Sequence, residues 1–219
     1  MTRALAVELN DLELDALTEL VNLGVSNAAL SLRAMVREEV LLSVPRVSIV
    51  TRDVAIANLG ERESKRLVAV HQDFEGDIAG RALLIFPEAK SMELVRALVG
   101  GDLPLEEIME LEQEALAETG NVLLNGCLGT IANSLERTLR ISLPEVLHGE
   151  GADFFDLPHA RADDSVLFIY INFQIKTRNI DGYIAMLLDL PSLVTLKSLL
   201  NSYIQRATGV HAVPVHVEE

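Results

Sequence analysis

Between residues 9 and 35 apolar side chains recur at helical spacing, with Leu14, Leu17, Val21, Val25, Ala28, Ala29 and Leu32 on one side and Glu13, Asp15, Thr18 and Glu19 kept polar. This predicts a long amphipathic helix. Residues 40–50 are rich in β-branched side chains around Pro45 and predict a strand at a sheet edge or a bulge, because proline brings no N–H to a ladder. Residues 67–74 and 78–86, on either side of the acidic turn Glu75-Gly76-Asp77, predict a hairpin. Pro87 suits the first turn of a helix running to Val99, closed by Gly100-Gly101.

The second half of the chain repeats this order. Asp102 can cap a helix with Pro104 in its first turn, and the helical pattern runs on through Leu135. Residues 141–146 around Pro144 predict a strand, residues 165–175 and 180–188 a second hairpin, and Pro191 opens a helix ending near Gln205. From Thr208 onward no pattern is visible. An offset of 99 residues pairs Ala16 with Ala115, Leu17 with Leu116, Ser43 with Ser142 and Phe74 with Phe173. That period is too long for a solenoid and indicates an internal duplication. The expected fold is α/β (α+β): two related halves, about 1–101 and 102–207, form a single domain on one continuous antiparallel sheet with the long helices packed on it. Residues 208–219 are expected to be a flexible tail.

The duplication carries a sparse polar pattern. Glu19 and Asn22 are followed, after 22 intervening residues, by Pro45; Glu118 and Asn121 are followed, at the same spacing, by Pro144. Asparagine inside a helix costs a few tenths of a kcal/mol relative to alanine, roughly, so its presence in both helices calls for a use. Residues three apart share a helix face, which sets each carboxylate beside a carboxamide. Such a pair can hold a cation and orient a water, but it contains no strong base. It suits a reaction that depends on positioning more than on covalent chemistry, as phosphoryl transfer to water does.

Asp15-x-x-x-Glu19-x-x-Asn22 and Glu114-x-x-x-Glu118-x-x-Asn121, each followed by its proline, resemble the motif of the CheC/CheX/FliY family of chemotaxis phosphatases. N-L-G-V-S-N-A-A from Asn22 is similar to that family's first helix, and G-N-V-L from Gly120 to its second. Two motifs on one chain fit the CheC type best. Glu114 departs from the Asp or Ser usual there but keeps the acidic character. The resemblance implies a CheY-P phosphatase whose substrate is the aspartyl phosphate of CheY, with Mg2+ held by that partner and no cofactor or metal on this chain. Asn22 and Asn121 would then position the attacking water, and Glu19 and Glu118 would bind a lysine of the receiver. Asp15 and Glu114 would support them, and Pro45 and Pro144 would shape the adjacent strands. The resemblance leaves open an adaptor that binds CheY-P or the receptor deamidase CheD with little turnover.

Charge narrows the partners further. With 18 basic and 33 acidic residues the net charge is -15, which opposes binding to nucleic acid or anionic lipid. No apolar run reaches membrane-spanning length, and the single Cys127 cannot form an internal disulfide, so the cytoplasm is the expected location. Cys127 lies among Leu123, Leu124 and Leu128 and is expected to be a buried small apolar side chain. His71, His148 and His159 lack ligand spacing, and His211 and His216 fall in the unpatterned tail. Glu106, Glu107, Glu110, Glu112 and Glu114 read as a solvated helix face. A duplicated chain already carries two sites, which favours a monomer.

Overall fold

A computed structural model describes residues 7–36, 39–43, 46–62, 66–99, 104–155, 165–175 and 178–209. In chain order the elements are α1 (Asp11–Val36), β1 (Val40–Leu42), β2 (Arg46–Thr51), α2 (Arg52–Arg62), β3 (Leu67–Gly76), β4 (Gly80–Pro87) and α3 (Glu88–Val99). Then follow α4 (Leu105–Ser134), β5 (Leu139–Ile141), β6 (Glu145–Gly149), α5 (Gly151–Phe154), β7 (Ser165–Ile175), β8 (Arg178–Leu188) and α6 (Leu190–Thr208). The same series of helix, two short strands, helix, hairpin and helix occurs twice.

All strands join one antiparallel sheet in the order β1-β7-β8-β4-β3-β5, with β2 beside β1 on β7 and β6 beside β5 on β3. Each hairpin therefore receives its edge strands from the other half. The registers repeat at the offset read in the sequence: Ile141 pairs with Phe74 and Glu145 with His71, while Leu42 pairs with Phe173 and Arg46 with Tyr170. At the first of these places Ser142, Leu143 and Pro144 face only Asp73 and Gln72, so the edge strand carries one extra residue there. Pro144 thus interrupts what the sequence predicts as a single strand, and an edge bulge is where a residue without an N–H is tolerated. Pro45 lies outside the described residues, as do Gly100, Gly101, Asp102, His159, His211 and His216.

The central strands are apolar on both faces, because both faces are covered. On one face Val68, Val70, Leu84, Phe86, Leu167, Ile169 and Ile184 pack under α1, α3, α4 and α6. On the other, Leu67, Ala69, Leu83, Ile85, Phe168 and Tyr183 meet Ala55 and Leu59 of α2, Phe154 of α5 and Phe155 just after it. Neither α2 nor α5 is predicted from periodicity. α2 has few apolar positions and α5 is a single turn, so their burial depends on the sheet being there first.

Several helix ends differ from expectation. α4 starts at Leu105 with Pro104 at its cap position, not inside the first turn. Pro87 is the last residue of β4, immediately before α3. α6 is capped by Asp189, whose side chain accepts from Ser192 N–H at 2.8 Å. α1 begins with a reciprocal box in which Asn10 N–H donates to Glu13 Oε2 at 2.8 Å and Glu13 N–H donates to Asn10 Oδ1 at 2.9 Å. Glu13 does not belong to the solvated face: it is 1% exposed. Its Oε1 accepts from Asn201 Nδ2 at 2.7 Å, and Lys197 Nζ lies 3.3 Å from Oε2, which ties α1 to α6. Burial would raise the Glu13 pKa, but the Asn10 N–H, Asn201 and Lys197 bonds outweigh it and hold the carboxyl below its usual value.

Candidate functional site

The two motif helices pack directly on each other. A methyl at Gly24 would lie 2.9 Å from the Cys127 Cα, and one at Gly126 would lie 3.0 Å from the Ala28 Cβ. Glycine at both positions is what lets the backbones approach so closely. Cys127 is fully buried at this crossing, and burial pushes its thiol pKa up to about 12, which makes it a packing residue.

With the inner faces fixed, the motif residues face outward. Glu19 and Glu118 are exposed, Asn22 and Asn121 are half-buried beside them, and Asp15 and Glu114 are exposed one turn earlier. Each Glu/Asn pair therefore sits on an accessible, rigid helix surface, three residues apart. Among the described residues Asp15, Glu19 and Asn22 make no side-chain hydrogen bond or ion pair, so their donors and acceptors remain available.

The second pair is held differently. Asn121 Oδ1 accepts from Asn125 Nδ2 at 2.7 Å and from Gln72 Nε2 at 3.3 Å. Gln72 Nε2 also donates to the Ser142 carbonyl at 2.8 Å, and Ser142 Oγ accepts from Asp73 N–H at 2.9 Å. The bulge before Pro144 is thus wired to the motif asparagine through Gln72. Pro144 itself is half-buried and touches this chemistry only through the strand it shapes. Gly120 brings the elements together, since a Cβ there would stand 2.3 Å from Val70 Cγ1 and only hydrogen fits.

Gln72, Asn125, Ser142 and Gly120 are not singled out by the motif. A signal for Gln72 was present: it follows Val68 and Val70 and precedes Phe74 on the apolar face of its strand, where an amide needs a partner. Asn125 is one turn from Asn121 on the same helix. The remaining candidates lie elsewhere. His71 points to the opposite face of the sheet from Gln72, with Nε2 3.3 Å from Glu145 Oε2, and burial, aided by Arg81, pushes its pKa down. A cleft of about 290 Å³ lined by Arg66, Glu88, His148, Glu150 and Asp153 contains none of the paired residues. Among the described residues no three His, Cys, Asp or Glu side chains converge as metal ligands would, and no helix is long and apolar enough to cross a membrane.

Comparison with known proteins agrees with this architecture. Residues 68–166 match the family described as chemotaxis phosphatase CheX. The chain is 26% identical over 137 residues to the CheY-P phosphatase CheC of Bacillus subtilis (strain 168), covering 61% of this chain and 65% of that protein. The matched part is therefore slightly under two thirds of that relative's length. Thermotoga maritima FliY has the same fold, with a TM-score of 0.69 at 17% identity over 90% of this chain and 100% of that one. A CheX–CheY–BeF3–Mg2+ complex from Borrelia burgdorferi matches with a TM-score of 0.50 at 17% identity, over 75% and 95% of the two chains. One antiparallel sheet covered by two long helices is the fold this chain shares with these solved chemotaxis proteins. This chain is similar to the CheC/CheX/FliY family of chemotaxis phosphatases and shares the fold of FliY.

Proposed function

We propose that this protein removes phosphate from the aspartyl phosphate of a phosphorylated CheY-type receiver. The observation that carries the proposal is the pair of outward-facing Glu/Asn sets on α1 and α4, which offer a carboxylate and a carboxamide on rigid surfaces a partner can reach. Glu19 and Glu118 hold a cationic side chain of the receiver, and Asn22 and Asn121 enter its phosphorylated site and orient the hydrolytic water. Asp15 and Glu114 add negative charge one turn away. The divalent ion, Mg2+, belongs to the receiver; the Borrelia complex, which pairs CheX with CheY, supports a receiver of that type as the partner. Catalysis comes from raising the fraction of time a water stands in line with phosphorus, with no covalent intermediate on this chain. The two homologous halves act as one domain, and a monomer suffices because both sites lie on one chain.

The test is the decay of a phosphorylated receiver with Mg2+ present, followed with and without the protein. Faster loss of phosphate is the expected result, and unchanged kinetics with a cognate receiver refute the proposal. A second role, as an adaptor for CheY-P or CheD, is favoured by the exposed Leu12, Leu23 and Leu30 along the same helix as Glu19. It predicts a calorimetrically tight complex that survives replacement of both asparagines.

A further inference from the structure

Resting on the phosphatase reading above, we infer that the two pairs are unequal: Asn22 carries most of the turnover, while Gln72 and Asn125 restrain Asn121 and leave it a minor share. A water that attacks phosphorus in line keeps a lone pair toward phosphorus, so the bonds that orient it are bonds it donates. A carboxamide serves that purpose through its oxygen. Asn22 presents this oxygen without a hydrogen bond among the described residues.

Asn121 does not. A carboxamide oxygen has two lone pairs, and Asn121 Oδ1 already accepts from Asn125 at 2.7 Å and from Gln72 at 3.3 Å. Gln72 is 1% exposed, and the Ser142 carbonyl fixes its orientation, because turning the amide over would set oxygen against oxygen at 2.8 Å. Gln72 Oε1 and Asn125 Oδ1 are themselves buried without a partner among the described residues, so the donors of this cluster converge on Asn121 and not on each other. Ninety-nine residues away the first pair has Ile171 in place of Gln72 and Ser26 in place of Asn125, and neither supplies an amide donor. The difference is written in side chains behind the motif, not in the motif.

To accept from a water, Asn121 must release a bond and leave a largely buried N–H unpaired, which lowers the competent population about tenfold or more. Glu118 stays exposed throughout, so the α4 surface keeps its cation-holding carboxylate.

Single-turnover decay of a phosphorylated receiver with Mg2+, measured with the full chain, separates the sites. Asn22→Ala is expected to lower the rate about tenfold or more, and Asn121→Ala by less than about threefold. In an Asn22→Ala background, Asn125→Ser releases one of the two bonds on Asn121 and is expected to raise the residual rate about threefold, even as thermal stability falls. A merely structural Asn125 would move rate and stability down together. Equal losses at 22 and 121, a larger loss at 121, or a residual rate that drops with Asn125→Ser overturns the inference and leaves the phosphatase reading intact. A wild-type chain that leaves receiver decay unchanged overturns both.

Discussion

Gly120 of α4 lies so close over Val70 of β3 that a Cβ at 120 would stand 2.3 Å from Val70 Cγ1 and 2.6 Å from its Cβ. Val70 is fully buried in the middle of the sheet and has no room to withdraw. The contact seats α4 on β3 and sets the next residue, Asn121, within reach of Gln72, two positions along the same strand face from Val70. The equivalent position in α1 is Val21, and α1 lies mainly over the edge strands β1 and β2.

Gly120→Ala is therefore expected to destabilise the fold by about 1–3 kcal/mol through overpacking, even though alanine is the better helix former. Urea unfolding measures it. A neutral or stabilising result would mean that α4 is not seated as described.

The asparagines should separate in stability as well as in activity. Asn22→Ala removes a side chain with no internal hydrogen bond and is expected to change stability by no more than about 0.5 kcal/mol. Asn121→Ala strands donors of Gln72 and Asn125 and is expected to cost about 1–2 kcal/mol. Thermal melts of the two variants compare them directly, and replacement of both should abolish acceleration of receiver dephosphorylation.

Glu13 links α1 to α6 while nearly excluded from water. Glu13→Ala is expected to cost about 2–4 kcal/mol at neutral pH, through the lost cap and the lost bonds from Lys197 and Asn201. The folded-state pKa of Glu13 lies below its ordinary value, so its contribution is complete above the usual carboxylate pKa of 4.5 and disappears as pH falls through the folded pKa. The gap between wild type and variant, read from unfolding curves, should shrink on acidification below that value. A gap independent of pH would contradict the ion pairing.

Cys127, with its pKa pushed up to about 12 by burial, should not react with thiol reagents in the native protein at pH 8 and should react fully in denaturant. Rapid native labelling would show that the α1–α4 contact opens.

Much of the fold was legible because it rests on local periodicity. The long helices, both hairpins and the 99-residue offset follow from apolar spacing and turn residues, and the Glu/Asn pairs follow from helix geometry. The short helices α2 and α5 were not legible, since a weakly apolar segment and a single turn form only against a sheet face. Glu13 was misplaced on the solvated face because its partners, Asn201 and Lys197, are more than 180 residues away in the chain.

By itself, the sequence determined that two equivalent Glu/Asn pairs ride on two long helices, because a three-residue spacing on a helix puts both side chains on one face whatever surrounds them. Only the tertiary structure decided that the pairs have different surroundings. Hydrogen bonding depends on what folding brings alongside, and folding brings Gln72 and the Ser142 bulge to Asn121, whereas the position equivalent to Gln72 in the other half is Ile171, which has no amide to offer.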